Sequence, residues 1–375
     1  MTEKKLRVVH VIGSLSYAGL QRRVLALIEA LPEFSHVVVF QSETRGPLYA
    51  DYSKACEIRQ CVYQPGRRLE FARRLIDLLR EIRPDVVLAH LFGNHTLVSW
   101  ASFVAGVPAT YGVSANDPVY YESSVWKPML LAHAARPFCR GEIAVSHAVG
   151  QVLTSRLRLP ARRVHVIPNG FVVEEVAARA AAGKAAAQRL PGDTARILMA
   201  ASFARSKEQP TLLRAMKLLR SEGRNVELQL AGGFYRESVR VNIEKLIDEL
   251  DIRDVVKFLG ARNDVPELMG ASDVVAHSTN SEGLSVAMLE AMAAGVPLVA
   301  TDIPSCREVL DDGRCGLLVP LGDAEAMAEA IGRLLDDEAL RRRLVDAASE
   351  RVRSQYHVKR MAADYAALIR SSLPG

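Results

Sequence analysis

The sequence lacks a long uninterrupted apolar segment, and only 6% of its 375 residues are aromatic. The longest uncharged stretch lies around residues 96–116, where Gly106, Pro108 and several hydroxyl residues interrupt it. It therefore predicts a helix followed by a strand rather than a membrane span. Met-Thr-Glu-Lys-Lys leads directly into the strand-like LRVVHVIG, and we expect no signal peptide. These absences favour a cytoplasmic protein.

The chain also has few cysteines, and their five positions show no spacing typical of a local metal site. An odd number of cysteines without such spacing favours a reduced cytosolic interior over a disulfide framework. Hydrophobic residues make up 49% of the chain and charged residues 24%, which is the balance of a globular protein. A chain of 375 residues is long enough for two domains, each with its own core.

Short motifs recur in the two halves of the chain at nearly one offset. Three pairs lie 188 or 189 residues apart: Arg7-Val-Val-His with Arg196-Ile-Leu-Met, Asp85-Val-Val-Leu-Ala-His with Asp273-Val-Val-Ala-His, and Ala105-Gly-Val-Pro with Ala294-Gly-Val-Pro. Since the three pairs also keep the same order, they indicate two domains of similar plan.

Strand-like and helix-like segments alternate within each half. Runs such as HVVVF, DVVLAH, RILMAA and DVVAHS are short and apolar on both faces, as in parallel strands covered by helices. Helical spacing follows at Gln21–Leu31, Leu69–Arg83, Gln209–Glu222 and Val239–Leu250. We therefore predict an α/β protein of two doubly wound, Rossmann-like domains facing across a cleft, with functional residues after strand ends.

The predicted first domain covers residues 1–168 and the second covers residues 169–354. The alanine-rich stretch Glu174–Leu190 is expected at the junction or at the start of the second half. A final helix, roughly Gln355–Ser371 within residues 355–375, is expected to cross back onto the first domain.

Charge is divided unequally between the halves. Residues 1–170 hold 21 Lys and Arg against 13 Asp and Glu, whereas the rest hold 27 against 30. The arginines of the first half form two clusters: Arg67, Arg68, Arg73, Arg74, Arg80 and Arg83, then Arg156, Arg158, Arg162 and Arg163. Such runs are commonly solvated helix faces, but an anionic partner, either phospholipid or a pyrophosphate-linked acceptor, would also explain them. No aromatic platform accompanies the charge, so we expect no nucleic-acid partner.

The strongest chemical signal is the segment from Ser281 to Thr301, which follows the strand-like DVVAHS. Glu282 is expected to precede a helix, and Glu290 lies eight residues after it. In a helix that spacing is about 12 Å of rise and a little over two turns, so both carboxylates would point roughly one way. Gly283 would let the backbone approach a ligand, and the N–H groups of Leu284 and Ser285 would face outward at a helix start. An extended diphosphate such as a nucleotide sugar would gain from these donors and from the helix dipole.

This segment resembles the E-x7-E region of retaining glycosyltransferases of family 4, which have the two-domain GT-B architecture. The similarity extends over nearly the whole chain. Further resembling segments are Val166-Ile-Pro-Asn-Gly170 at the family's domain junction, Gly260–Leu268 in its base-binding loop, Glu308–Gly313 with Gly316–Val319 near its end, and Arg22 after Ala18-Gly19 in its N-terminal glycine loop.

The resemblance implies that a sugar moves from a UDP- or GDP-sugar to a hydroxyl acceptor with retention at the anomeric carbon. It implies neither a cofactor nor a required metal. Glu290 would hold the ribose, while Glu282 and the Gly283–Ser285 backbone would hold the sugar. Other donor contacts are expected at Gly19, Gly232, Arg262 and Val265. The acceptor class would be a sugar, a lipid-linked precursor or a small molecule, and the enzyme would work in the cytoplasm or at the inner face of the membrane.

Positive charge is needed where a nucleoside diphosphate departs, because negative charge builds there in the transition state. Lys207 aligns with the family lysine, whereas Arg205 stands downstream of the usual arginine position, where this chain has Ser202. Many relatives carry a cleft histidine after the strand equivalent to Ala109–Val113, but this chain offers Asn116 and Asp117. We predict Lys207, Arg205, Glu282 and Asn116 as catalytic residues.

Two further histidines, His90 and His95, follow the strand-like DVVLAH and could point into the cleft. As lone histidines at a strand end they are more often satisfied structural residues than catalytic ones. The polar and aromatic loop Asn116–Trp126 is the better candidate for shaping the choice of acceptor.

Other classes of protein share this plan. A nicotinamide oxidoreductase could use Glu43 as its ribose ligand, but the first turn, Gly13 to Gly19, lacks the G-x-G-x-x-G spacing. A nucleotide-sugar epimerase would bind a similar donor, although the E-x7-E segment argues against it. A non-catalytic nucleotide-sugar-binding protein stays open as an alternative, because motifs alone do not distinguish binding from turnover.

Overall fold

The computed structural model describes residues 5–16, 19–64, 66–90, 95–117, 125–188, 190, 192–234 and 236–373. The chain divides into two compact units. The first unit consists of Met1–Phe171 and Val358–Gly375, and the second consists of Val172–His357. The division therefore falls three residues after the predicted boundary at 168, and the last helix belongs to the first unit.

The first unit contains, among the described residues, a sheet of seven parallel strands. They are β1 (Arg7–Ile12), β2 (Ser35–Phe40), β3 (Glu57–Gln60), β4 (Val86–Ala89), β5 (Ala109–Ser114), β6 (Gly141–Ala144) and β7 (Val164–Val166). Their spatial order is β3-β2-β1-β4-β5-β6-β7, so the order reverses between β1 and β4. The side chains on the strand faces are apolar and buried, and Val9, Val37 and Val87 are fully buried.

Helices connect the strands of the first unit. They are α1 (Gly19–Glu29), α2 (Tyr49–Ala55), α3 (Arg68–Ile82), α4 (His95–Val104), α5 (Trp126–Ala135) and α6 (His147–Gln151), with a π-helical turn at Val152–Arg156 and a 3₁₀ turn at Ala161–Arg163. The buried face of α3, including Leu75 and Leu79, recurs at helical spacing, which is why its amphipathic pattern was readable from sequence.

The second unit contains six parallel strands among the described residues. They are β8 (Ala195–Ala200), β9 (Val226–Ala231), β10 (Val256–Gly260), β11 (Val274–His277), β12 (Leu298–Thr301) and β13 (Leu317–Val319). The order β10-β9-β8-β11-β12-β13 reverses between β8 and β11. This is the order of a Rossmann sheet, and it confirms the prediction of two doubly wound α/β domains.

The helices of the second unit cover both faces of its sheet. They are α7 (Val173–Ala187), α8 (Gln209–Ser221), α9 (Glu237–Leu250), α10 (Val265–Gly270), α11 (Val286–Ala294), α12 (Pro304–Val309), α13 (Ala324–Asp336) and α14 (Glu338–Gln355), with 3₁₀ turns at Arg205–Lys207 and Arg253–Val255. Asp323 and Asp337 cap α13 and α14 by accepting hydrogen bonds from Ala326 N at 2.9 Å and Leu340 N at 2.8 Å, which satisfies donors at each helix start.

The last helix, α15 (Val358–Ser371), begins three residues later than predicted, because α14 ends at Gln355. Its start is tied to the first unit, since Val358 N donates to Phe171 O at 2.9 Å. At its end, Ser372 Oγ lies 2.7 Å from the Tyr111 hydroxyl oxygen.

The internal repeat of the sequence corresponds to a repeated hydrogen bond. In the first unit, Arg7 N donates to Asp85 Oδ2 at 2.7 Å. In the second unit, Arg196 N donates to Asp273 Oδ2, also at 2.7 Å. Each aspartate thereby fixes the start of the strand that follows it against the first strand of its unit. The repeated Arg and Asp positions therefore set the register at each sheet's reversal.

Candidate active site

Two charged side chains lie where the strand order of the second sheet reverses. Lys207 lies in the 3₁₀ turn after β8, and Glu282 follows β11. Since β8 and β11 are neighbours, both residues lie at the carboxyl ends of the strands between which the order reverses. Open α/β sheets bind their ligands at this point.

Glu282 is the centre of a buried charge cluster. Lys207 Nζ donates to its Oε1 atom, and His277 Nε2 lies 2.9 Å from the same oxygen. The Glu282 side chain is only 11% exposed. Burial alone would raise the pKa of this carboxyl, but the charge of Lys207 and the contact with His277 outweigh it and lower the pKa to about 2. The cluster therefore holds Glu282 as a carboxylate beside a cation.

Ser285 joins this cluster to the start of α11. Its Oγ atom lies 3.1 Å from His277 Nε2 and accepts a hydrogen bond from Met288 N at 3.4 Å as the helix cap. Because carboxylate oxygens only accept hydrogen bonds, the contact with Glu282 requires a proton on His277 Nε2. His277, at the end of β11, thus links the carboxylate to the helix cap.

Glu282 precedes the helix as expected, but the helical rise used to estimate its distance from Glu290 is wrong for the first half of that segment. Ser285 has extended backbone angles, and α11 begins only at Val286. Glu282 therefore lies in the loop before the helix. Because regular helical rise begins only after the cap at Ser285, the 12 Å estimate does not apply. No described residue accepts a hydrogen bond from the backbone N–H of Leu284 or Ser285.

Glu290 lies within α11 and is only 4% exposed. Its carboxylate acts electrostatically on Arg179 of α7, whose main partner is Glu267 with N–O distances of 2.8 Å. Arg179 also donates to Asn263 O at 2.7 Å. Arg179 therefore connects the surroundings of Glu290 to the loop after β10.

The remaining predicted residues of the second unit follow β8, β9 and β10. Arg205 is exposed in the same 3₁₀ turn as Lys207. Arg262 follows β10 and pairs with Asp264 at 2.7 Å, and Val265 begins α10. Gly232 follows β9, where any side chain would collide with the backbone of Ala201. Gly232 is thus required by the close packing of β8 and β9.

Positions after β10, β9, β8 and β11 form one row along the carboxyl edge of the second sheet. Neighbouring strands are roughly 4.8 Å apart, so the row from Arg262 to Glu282 crosses three intervals, roughly 14 Å. An extended ligand could contact the whole row.

In the first unit, Gly19 begins α1, and Asn116 is exposed after β5. Ala18, next to Gly19, and residues 118–124 of the loop expected to shape acceptor choice lie outside the described residues. The described part of the chain therefore places Asn116 at a strand end but gives the rest of its loop no geometry.

The structure buries both histidines that were expected to be able to face a cleft. His90 is 2% exposed, and its two ring nitrogens contact His10 and Arg23. His95 is 3% exposed, and its Nδ1 lies 3.0 Å from Glu142 Oε1. His90 is therefore a satisfied structural histidine, because both of its nitrogens already have partners.

Sequence reasoning missed His277 as a member of the charge cluster. The available signal was the repeated motif, since Asp-Val-Val-Leu-Ala-His and Asp-Val-Val-Ala-His end in His90 and His277. Both histidines stand at the carboxyl end of the strand next to the sheet reversal, β4 and β11.

Two known sequence families match this chain. The family described as Glycosyltransferase Family 4 matches residues 17–175, and the family described as Glycosyl transferases group 1 matches residues 183–351. The fold and these two matches place the chain among the glycosyltransferases of GT-B architecture. It belongs to family 4 of those enzymes.

Several named proteins are similar in sequence. "Putative glycosyltransferase EpsF" of Bacillus subtilis is 27% identical over 89% of this chain and 88% of its own length. The phosphatidyl-myo-inositol mannosyltransferase of Mycobacterium leprae is 37% identical, but over 34% of either chain. The lipopolysaccharide core biosynthesis glycosyltransferase LpsE of Rhizobium meliloti is 31% identical over 48% of this chain and 51% of its own.

Solved structures share the fold at low sequence identity. HepE of Anabaena, crystallised with UDP and glucose, is 19% identical with a TM-score of 0.84, over 98% of this chain and 100% of that one. The sucrose-phosphate synthase of Thermosynechococcus elongatus is 21% identical with a TM-score of 0.81, over 97% and 98%. Within the described part of the chain, no helix combines the length and apolarity needed to span a bilayer.

Proposed function

We propose that this glycosyltransferase moves a sugar from a nucleotide-sugar donor to a hydroxyl acceptor, with retention at the anomeric carbon. The observation that carries the proposal is the Lys207–Glu282 ion pair at the reversal between β8 and β11. A cation for the leaving diphosphate and a carboxylate for the sugar hydroxyls stand together where such a sheet binds ligands.

The donor lies along the carboxyl edge of the second sheet in this proposal. Lys207 and Arg205 contact the diphosphate. The N–H groups of Leu284 and Ser285, which have no acceptor among the described residues, add donors at the start of α11. Glu282 and the backbone of Gly283–Ser285 bind the sugar. The row of roughly 14 Å toward Arg262 accommodates the nucleoside.

The nucleoside end of the donor is assigned to four further positions. Glu290 binds the ribose hydroxyls, and Arg262 with Val265 lies against the base. Gly232 lets the backbone approach the donor after β9. In the first unit, the roles expected for Gly19 and Asn116 stay predictions.

Transfer breaks the bond between the anomeric carbon and the diphosphate oxygen and forms a bond from that carbon to the acceptor oxygen. The acceptor proton passes to the departing diphosphate. Lys207 donates to Glu282, and in this proposal its charge also acts on the phosphate oxygens of the donor. Because lysine and arginine supply the positive charge, we propose that transfer requires no metal or other cofactor.

The names of similar proteins guide the choice of donor and acceptor to test. HepE was crystallised with UDP and glucose, which supports UDP-sugars as the first donors. Relatives named for lipopolysaccharide core synthesis and for phosphatidyl-myo-inositol support an acceptor from the cell envelope, either lipid-linked or a polysaccharide precursor.

A surface of the first unit supports peripheral contact with anionic membrane at the cytoplasmic face. Leu69 of α3 is 83% exposed and Phe103 of α4 is 60% exposed, and these helices pack together. Arg73 and Arg80 of α3 are exposed as well. Apolar side chains between arginines match a charged lipid headgroup region.

Vesicle sedimentation tests this contact. The chain should bind vesicles containing anionic phospholipid, and Leu69→Glu should weaken that binding, whereas Leu321→Glu on the second unit should not. Equal binding to vesicles of phosphatidylcholine alone would refute recognition of charge.

Donor use is tested first by thermal shift with UDP, GDP and ADP, because a ligand of the folded state raises the unfolding temperature. Matching nucleotide sugars are then incubated with envelope-type acceptors. Release of nucleoside diphosphate with transfer of the sugar supports the proposal. A changed sugar still attached to its nucleotide would indicate an epimerase, and binding without release from any donor and acceptor would indicate a non-catalytic binding protein.

A further inference from the structure

Three potential metal ligands converge in the first unit. They come from three places in the chain: His95 at the start of α4, Cys139 just before β6 and Glu142 within β6. One ring nitrogen, the sulfur and one carboxylate oxygen all lie within 4.8 Å of one another. His95 and Glu142 are 3% and 4% exposed, and Cys139 is half-buried.

Within the described residues, one buried ring nitrogen of this cluster accepts or donates no hydrogen bond. His95 Nδ1 lies 3.0 Å from Glu142 Oε1, but no atom of the described residues forms a hydrogen bond with His95 Nε2. Buried polar atoms almost always have a partner. A buried unpartnered nitrogen beside a sulfur and a carboxylate therefore points to a missing ligand.

Gly112 leaves space beside this nitrogen. It lies within β5, opposite Glu142 in the strand pairing. A side chain at this position would collide with both His95 Nε2 and Glu142 Oε2. The two atoms therefore face the same small volume over the glycine backbone, and only a residue without Cβ keeps that volume open.

We propose that His95, Cys139 and Glu142 bind a zinc ion. Nitrogen, thiolate sulfur and carboxylate oxygen are all ligands of Zn²⁺, with bond lengths of about 2.0–2.3 Å. His95 Nε2 binds the metal while Nδ1–H donates to Glu142 Oε1. A carboxylate that holds the second ring nitrogen commonly orients metal-binding histidines.

The charges around the cluster are compatible with this ion. The Cys139 thiolate and the Glu142 carboxylate neutralise Zn²⁺, and the thiol proton and any proton on Nε2 pass to solvent upon binding. Arg163 Nη2 lies 3.9 Å from the sulfur. Ser114 Oγ lies 3.4 Å from Glu142 Oε2. The fourth zinc ligand is either this hydroxyl or a water molecule.

The ion would cross-link elements that are distant in sequence. It connects the start of α4 to β6 and to the segment before β6, which Arg163 also anchors by donating to Arg140 O at 3.0 Å and Arg136 O at 2.8 Å. We assign the site a structural role in the first unit, separate from sugar transfer.

Metal content and cobalt spectroscopy test the site directly. Chelator-treated full-length protein, dialysed against Zn²⁺ and then against metal-free buffer, should retain one zinc per chain by elemental analysis. Co²⁺ in place of Zn²⁺ should give the near-ultraviolet charge-transfer band of a cobalt–thiolate bond.

Cys139→Ser should abolish the cobalt–thiolate band and weaken zinc binding at least about tenfold, and its half-buried position favours retention of the fold. Cys56→Ser is the matched control and should leave both signals unchanged. His95→Gln should also weaken zinc binding. Absence of stoichiometric zinc, or a cobalt–thiolate band that persists in Cys139→Ser, would overturn the site without affecting the proposed sugar transfer.

Discussion

Arg23 donates a hydrogen bond of 3.1 Å to Nδ1 of His90, and this bond ends a chain of three buried histidines. His36 Nε2 lies 3.0 Å from Leu31 O, so it carries the proton and leaves its Nδ1 as acceptor. His10 Nε2 then donates to His36 Nδ1 at 3.1 Å, and His90 Nε2 donates to His10 Nδ1 at 3.2 Å. These successive hydrogen bonds fix one tautomer for each of the three neutral imidazole rings.

The free energy of unfolding of the protein should fall on acidification because of these three histidines. Burial lowers the pKa of His10, His36 and His90, and the nearby charge of Arg23 lowers that of His10 and His90 further. The unfolded histidines bind protons below about pH 6.5, while the folded rings stay neutral. Stabilisation is therefore present above that pH and is lost progressively below it.

We expect urea unfolding to show a loss between about pH 7.5 and about pH 5.5 of the order of 1 kcal/mol per histidine. His36→Gln should reduce this loss because one titrating ring is removed. His147→Gln, which changes an exposed histidine, should not. An equal loss in His36→Gln and in the unsubstituted protein would contradict the buried neutral chain.

Lys207→Ala should lower turnover far more than it disturbs folding. The lysine charge is assigned to the leaving diphosphate, and loss of such a stabilising group commonly reduces kcat by about 10²–10³-fold. Steady-state kinetics and thermal unfolding should be compared with Lys245→Ala on the exposed face of α9. Wild-type kcat, or a variant that no longer folds, would count against the assigned role.

Glu290→Ala should weaken the binding of the nucleoside diphosphate by roughly 10–100-fold, because hydrogen bonds to a charged group are worth about 1.5–3 kcal/mol. Isothermal titration calorimetry measures this effect directly. Glu290 is buried, so Glu290→Gln serves as the variant of similar volume, and the exposed Glu325→Ala serves as control. An unchanged affinity of folded Glu290→Ala for the nucleoside diphosphate would refute the proposed ribose contact.

Glu208→Gly should stabilise the second unit. Glu208 has a φ of 38° in the turn between Lys207 and α8, a left-handed conformation that glycine adopts more easily. We expect a gain of about 0.5–1 kcal/mol by chemical denaturation, reduced by the lost contact of Glu208 Oε1 with Asn280 at 2.8 Å. Glu208→Ala loses that contact and keeps the strain, so it should be less stable than Glu208→Gly.

Much of the fold could be predicted because its signals are local. The predicted helix Gln209–Glu222 and the observed α8 differ by one residue at the end, and Val239–Leu250 differs from α9 by two residues at the start. The final helix was predicted three residues too early, because the pattern of α14 runs into that of α15. Apolar periodicity identifies the buried face but leaves the ends of helices to caps and tertiary contacts.

The candidate site was predictable only in part. Strand ends and the resemblance to family 4 indicated Lys207 and Glu282 separately, but their contact joins residues 75 apart. His277 was missed because a histidine that ends a buried strand has no local feature showing what it contacts. The five cysteines showed no metal-ligand spacing, and spacing along the chain does not reveal that His95, Cys139 and Glu142 come together in the fold.

The sequence by itself determined the two-fold repeat of α/β units and their parallel strands, because apolar periodicity is a local signal and the repeated motifs can be read directly along the chain. The tertiary structure alone decided which polar groups meet. Lys207 reaches Glu282 because β8 and β11 are neighbours at the reversal, and His95 reaches Glu142 because Gly112 leaves room between them. Burial makes each of these contacts important for stability, because a charge or ring nitrogen removed from water costs free energy unless the fold provides a partner.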